Sequence, residues 1–103
     1  MKLKHLLILC AAGASWLSGA ATAQDLNTLR SLAATCANCH GTNGVSRGEV
    51  PSLAGVAADA TIAKMAAYKS GALSATVMHQ IAKGYTDEQI KQLATFFAAQ
   101  PAK

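Results

Sequence analysis

The sequence has little that would build a β-sheet, a disulfide framework or a nucleic-acid-binding surface. No stretch alternates between apolar and polar side chains for long enough to predict a strand. The 103 residues include three cysteines, nine Lys and Arg residues, and five Asp and Glu residues. That surplus of positive charge is too small to indicate nucleic acid as a partner. What is left is a small helical protein without internal repeats.

Residues 1–23 have the layout of a secretory signal peptide. A basic head with Lys2 and Lys4 precedes an apolar run, and a small-residue pattern ends at Ala23. The run is interrupted by Gly and Ser and is shorter than the ~20 residues of a membrane span, so a cleaved leader is favoured over an anchor. We therefore predict an exported, periplasmic chain of residues 24–103. It forms one domain with a net charge of +2 and keeps two of the three cysteines.

Helix signals occur four times in the mature chain. Asp25 is a candidate N-cap for the first helix, which should end near Gly41, and Asp59 is a candidate cap for the second. The segment Thr86-Asp87-Glu88-Gln89 forms a capping box before the last helix. The prediction is all-α, with a glycine-rich loop over residues 41–58 and helices near 25–41, 59–70, 74–83 and 86–100.

The stretch ATCANCHG contains Cys36, Cys39 and His40. On a helix these residues occupy positions i, i+3 and i+4, so they project from one face. Two thiols can then reach the two vinyl groups along one edge of a haem while the imidazole reaches the iron, as in c-type attachment by Cys-x-x-Cys-His. We predict that Cys36 and Cys39 are the covalent thioether tethers of one haem c and that His40 is an axial iron ligand.

Three other interpretations of this motif fit less well. A redox dithiol would follow a strand, whereas the flanks here are helical. A zinc site made of Cys36, Cys39, His40 and His79 lacks a second ligand pair at the usual spacing. The third interpretation is a chance occurrence without a cofactor. A disulfide between Cys36 and Cys39 would close too small a loop to stabilise the fold.

The second axial ligand has two methionine candidates in the mature chain. Met65 falls inside the second helix, at a spacing typical of core packing. Met78 lies where a turn meets a short helix, 38 residues beyond His40, on a segment that is free to be aimed. A thioether ligand makes the iron six-coordinate and suits electron transfer. We predict Met78, with Met65 as the alternative and His79 as a competitor that would lower the potential.

The segments CANCHGTNG, PSLAG, KSG and ATVMHQIAKGYTDEQIKQLATFFAAQ resemble the class I cytochromes c. The chain is most similar to the small single-haem group of the c4 and c553 type, over about residues 32–100. The resemblance implies a class I cytochrome c fold of about four short helices around one covalent haem, and Met78 as the distal ligand. It also implies that the Pro51 carbonyl accepts a hydrogen bond from the imidazole of His40. Phe96 resembles the aromatic residue that packs where the first and last helices cross.

A narrower resemblance links TVMHQIAKGYTDEQI to the cytochrome subunit of flavocytochrome c, a periplasmic sulfide dehydrogenase. It implies a one-electron carrier that is no enzyme by itself and that serves an FAD-containing flavoprotein. The alternative is a freely diffusing c553-like shuttle to a terminal oxidase or reductase. A gas-binding or peroxidatic haem protein would need an open iron face. Arg47 and Lys83 are candidate contacts to haem propionates or partners, although a solvated surface charge is the simpler interpretation of each.

Overall fold

A computed structural model describes the backbone of residues 18–103 and the side chains of residues 25–103. This part of the chain contains helices and no strand, so the predicted all-α class is confirmed. The predicted signal peptide lies largely outside the described residues, and its cleavage stays a prediction. The elements in chain order are α1 (Ser18–His40), a 3-10 turn (Thr42–Gly44), α2 (Ala58–Ser70), α3 (Met78–Lys83) and α4 (Asp87–Ala98).

Three of the helix starts differ from the prediction. Helix α1 already includes residues 18–24, SGAATAQ, so Asp25 lies inside it and does not cap it. The three alanines of that segment favour helix strongly, which allows the helix to continue through it. Helix α2 begins at Ala58 and places Asp59 in its first turn. There the carboxylate interacts favourably with the helix dipole but forms no capping hydrogen bond. Helix α3 begins only at Met78, later than expected. Within residues 18–103, no helix has both the length and the apolar character needed to cross a membrane.

Helix α4 begins as the sequence predicts. The backbone N–H of Gln89 donates to the Thr86 hydroxyl at 3.1 Å, and the Gln89 side-chain oxygen accepts from the Thr86 N–H at 2.9 Å. This reciprocal pair is the capping box, and it satisfies two backbone donors that the helix leaves free. The side chains of α4 that are buried lie on one face: Ile90, Leu93, Ala94 and Phe97.

The core lies where α1 crosses α4. Ala33 of α1 packs there with Leu93 and Phe97 of α4. The rings of Phe96 and Phe97 meet edge to face, with 5.2 Å between their centroids. Partly buried side chains surround this cluster: Leu29, Leu32, Cys36, Leu53, Tyr85 and Phe96. Because Cys36 and Phe96 belong to this set, the crossing holds the predicted tether helix and the aromatic residue where the resemblance implies.

Helix α2 packs against both α3 and α4. At its last turn the Lys69 ammonium donates to the backbone carbonyl of Tyr85 at 2.7 Å and to a carboxylate oxygen of Asp87 at 3.1 Å. The Asp87 side chain is 97% exposed, so this ion pair contributes at most about 1 kcal/mol. The bond to the carbonyl of Tyr85 fixes the end of α2 at the junction between α3 and α4.

Candidate haem site

His40 is the last residue of α1, and it is buried. Its Nδ1 lies 2.6 Å from the carbonyl oxygen of Pro51. A carbonyl oxygen can only accept, so the Nδ1–H donates and the tautomer is fixed. The lone pair is then on Nε2, which is the nitrogen that can bind a metal. The structure brings His40 and Pro51 together as expected, and iron binding by Nε2 stays a prediction.

The loop that carries Pro51 is held by a glycine. Gly44 has φ +78° and is buried, and its carbonyl accepts hydrogen bonds from the N–H groups of Leu53 and Ala54, at 2.8 and 3.1 Å. A Cβ at this position would lie 2.7 Å from Cδ1 of Phe97, closer than carbon atoms pack. Only glycine therefore lets the loop fold back onto α4 and present the Pro51 carbonyl to the end of α1.

The two predicted tethers lie in different surroundings. Cys36 is partly buried against the core, whereas Cys39 is exposed, and the two form no disulfide with each other. Burial raises the pKa of the Cys36 thiol. Both tethers and His40 belong to α1, and their spacing of i, i+3 and i+4 places them on one side of the helix.

The candidates for the second axial ligand lie on α2 and α3. Met78 is the first residue of α3 and is partly buried, and Met65 is partly buried on α2. His79 follows Met78, and its Nδ1 is buried without a hydrogen-bond partner among the described residues. A buried nitrogen without a hydrogen bond destabilises the fold unless another group binds it. His79 therefore stays the competitor of Met78 for the iron.

Large apolar side chains are exposed next to both sets of candidate ligands. Val50, which precedes Pro51, is 38% exposed, and three more lie within five residues of Met78 in the sequence: Leu73 (38%), Val77 (53%) and Ile81 (41%). A flat apolar macrocycle bound by the neighbouring ligands would cover side chains of this kind. The sequence analysis did not identify these residues. These residues could have been identified from their positions in the sequence, which are close to those of the candidate ligands.

The donor atoms fit a haem better than a bare metal ion. Among the side chains of residues 25–103, no three or more His, Cys, Asp or Glu residues are grouped so that they could hold a metal ion. The site instead offers one oriented imidazole, two cysteine sulfur atoms on the same helix, and one thioether candidate on each of α2 and α3. This set matches the two tethers and the His/Met ligation of c-type haem.

Comparison with known proteins decides the family. Residues 23–97 match the family described as cytochrome C oxidase, cbb3-type, subunit III, which covers well over half of the chain. The chain belongs to this cytochrome c family. Its cofactor is therefore covalently bound haem c, as predicted, and it is an electron-transfer haem protein. The all-helical structure agrees with the small cytochrome c fold.

Two relatives support the same assignment. The cytochrome subunit of sulfide dehydrogenase from Chlorobaculum tepidum is 39% identical over 66 residues, which are 64% of this chain and 60% of the relative. Cytochrome c-552 from Acidithiobacillus ferridurans is 34% identical over 64 residues, which are 62% of this chain and 28% of the relative. The matched region spans less than two thirds of either relative. The predicted resemblance to c-type cytochromes is thus confirmed.

The surface beside Cys39 is open. A depression of about 650 Å³ is bordered by Cys39, Arg47, Val50 and Lys103. Arg47 and Lys83 are both exposed, and neither forms an ion pair with another described residue. Contacts of either residue with haem propionates or a partner stay a prediction.

Proposed function

We propose that this chain is a periplasmic one-electron carrier that does no bond chemistry itself. Its haem is tethered by Cys36 and Cys39, and the iron is ligated by Nε2 of His40 and the sulfur of Met78. The contact of 2.6 Å between Nδ1 of His40 and the Pro51 carbonyl carries the proposal. A buried imidazole oriented in this way is built to donate Nε2 to a metal.

When bound, the haem supplies the one-electron chemistry of its iron. The protein residues set the conditions for that chemistry. The Pro51 carbonyl pulls on the Nδ1 proton and strengthens the donation from Nε2 of His40. The apolar side chains of Val77 and Ile81, exposed in the structure, would keep water from the macrocycle. The exposed position of Cys39 beside an open depression supports electron exchange at that edge.

The partner that we favour is an FAD-containing flavoprotein. This chain would then be the haem subunit that takes electrons from the flavin as sulfide is oxidised. Its likeness to a protein named as the cytochrome subunit of sulfide dehydrogenase supports this choice. Co-purification from the native periplasm, with flavin absorbance beside the haem Soret band, is the expected result. A monomeric haem protein without flavin would favour the freely diffusing shuttle instead.

Substitution of the methionines tests the proposed ligation. Met78→Ala should abolish the sulfur-to-iron charge-transfer band at the red end of the ferric spectrum, and the ferrous protein should then bind carbon monoxide. Met65→Ala is the matched control and should keep the band. Loss of the band in Met65→Ala alone would move the ligand to α2. A wild-type protein that lacks the band and loses its low-spin spectrum in His79→Ala would assign the iron to His79.

Mass spectrometry of exported protein tests the tethers and the export signal together. We expect a chain that begins at Gln24 and carries one covalent haem. Colourless material with two alkylatable thiols would contradict the proposal at its first step.

A further inference from the structure

Tyr85 connects the two sides of the proposed haem site. Its hydroxyl lies 2.7 Å from the Thr35 hydroxyl, across 50 residues of sequence. The Thr35 hydroxyl also lies 2.7 Å from the carbonyl oxygen of Leu32. That oxygen can only accept, so the single hydroxyl proton of Thr35 is donated to it. Tyr85 is therefore the donor to Thr35. Thr35 directly precedes the tether residue Cys36.

The backbone of Tyr85 is held as firmly as its side chain. Its carbonyl accepts from Lys69 of α2 at 2.7 Å, and its N–H donates to the carbonyl of Ala82 in α3 at 3.3 Å. Helix α3 packs against α2, whereas α1 packs mainly against α4 and the 3-10 turn. The hydroxyl of Tyr85 is thus a direct link from the tether helix to the end of the helix that begins with Met78.

We propose that Tyr85 is a positioning residue for the axial ligand Met78. Its hydrogen bond to Thr35 fixes the C-terminal end of α3 relative to α1. Helix α3 has six residues and is ~9 Å long, so it transmits a displacement at one end to the other. The inference depends on the proposed ligation by Met78.

Removal of one hydroxyl tests this role. In ferric holoprotein, added imidazole competes with the Met78 sulfur for the iron. The apparent affinity of the protein for imidazole therefore rises with the fraction of molecules in which that sulfur has dissociated. Loss of one hydrogen bond in Tyr85→Phe should raise that fraction by about three- to tenfold. The apparent affinity for imidazole should rise by the same factor. The charge-transfer band should bleach at correspondingly lower imidazole concentration.

The chain offers a matched control. Tyr68 is the other of its two tyrosines and is also partly buried, and its hydroxyl forms no hydrogen bond with a described residue. Tyr68→Phe should bind imidazole as the wild type does. Thr35→Val should reproduce the effect of Tyr85→Phe, and Thr35→Ser, which keeps the hydroxyl, should not. The double variant Tyr85→Phe with Thr35→Val should bind no tighter than either single variant, because both remove the same bond.

The outcomes separate the inference from the proposed function. Wild-type protein without the charge-transfer band would refute ligation by Met78 itself. A wild-type band together with unchanged imidazole affinity in Tyr85→Phe and Thr35→Val would refute only the positioning role. A lower urea midpoint without any change in imidazole affinity would show that the bond stabilises the fold generally, which also overturns the inference. Thr35→Val keeps the test valid if Tyr85→Phe fails to fold.

Discussion

Gly44 is the position where a single methyl group should disturb the haem site most. Its backbone has φ +78°, and an added Cβ would lie 2.7 Å from Cδ1 of Phe97 and 2.9 Å from the backbone nitrogen of Ala54. The first neighbour is a ring in the core, and the second is backbone. Neither can move without moving the loop from α4, so Gly44→Ala must displace that loop.

The expected cost follows from two terms. A left-handed conformation costs a residue other than glycine about 1–2 kcal/mol. Forcing an additional methyl group into packed surroundings costs about 1–3 kcal/mol. Together they predict a loss of about 2–5 kcal/mol in the free energy of unfolding. This is a large share of the ~5–15 kcal/mol that stabilises a typical domain.

Two other glycines separate these terms. Gly71 has φ +84° but no atom within 4 Å of an added Cβ, so Gly71→Ala should cost only the conformational term of about 1–2 kcal/mol. Gly48 has no positive φ and also lies in open space, so Gly48→Ala should stabilise the protein by about 0.4–1 kcal/mol through the unfolded state. Urea unfolding of the holoproteins, followed by helical circular dichroism, measures all three. Equal losses in Gly44→Ala and Gly71→Ala would refute the steric contribution.

Gly44→Ala should also change the midpoint potential of the haem iron. The amides of Leu53 and Ala54 bind the Gly44 carbonyl, and Pro51 lies only two residues before Leu53. A displaced loop would lengthen the contact between Pro51 and His40, and the imidazole would then donate less strongly to the iron. Weaker donation favours the ferrous state, so the midpoint potential of Gly44→Ala should rise. Gly71→Ala should leave the potential unchanged.

Two further substitutions test single elements. Thr86→Ala removes the hydroxyl of the α4 capping box and should cost about 1 kcal/mol in urea unfolding, whereas Thr86→Ser should restore nearly all of it; equal stability of the two variants would contradict the role of the cap. Cys36→Ser should give a haem held by Cys39 alone or no holoprotein, as read from the mass of the exported chain. A haem yield equal to that of the wild type would contradict the assignment of Cys36 as a tether.

The features that the sequence predicted well depend on neighbouring residues. The motif around Cys36 and His40 uses a spacing that helix geometry alone places on one face. The capping box at Thr86 is likewise a pattern of four consecutive residues, and it is present with both hydrogen bonds. Such local patterns carry their own geometry, so they can be recognised without knowledge of the fold.

The features that the sequence did not predict depend on distant residues. Nothing in the local sequence shows that Tyr85 meets Thr35, or that Gly44 meets Phe97, because each pair forms only when α1 and α4 cross. The helix starts at Asp25 and Asp59 were wrong for a different reason. A capping residue marks a possible start, but alanine-rich flanks allow a helix to begin earlier.

The two sides of the proposed site therefore differ in stability. Cys36 and His40 belong to the long helix α1, whose packing against α4 forms the core. Met78 belongs to the six-residue helix α3, which buries only Ala82 among its side chains. Local stability follows the burial of apolar contacts, so the methionine side should open first. Substitutions within α3 should therefore change the ligand state of an attached haem, whereas substitutions of Cys36 or Cys39 should impair its attachment.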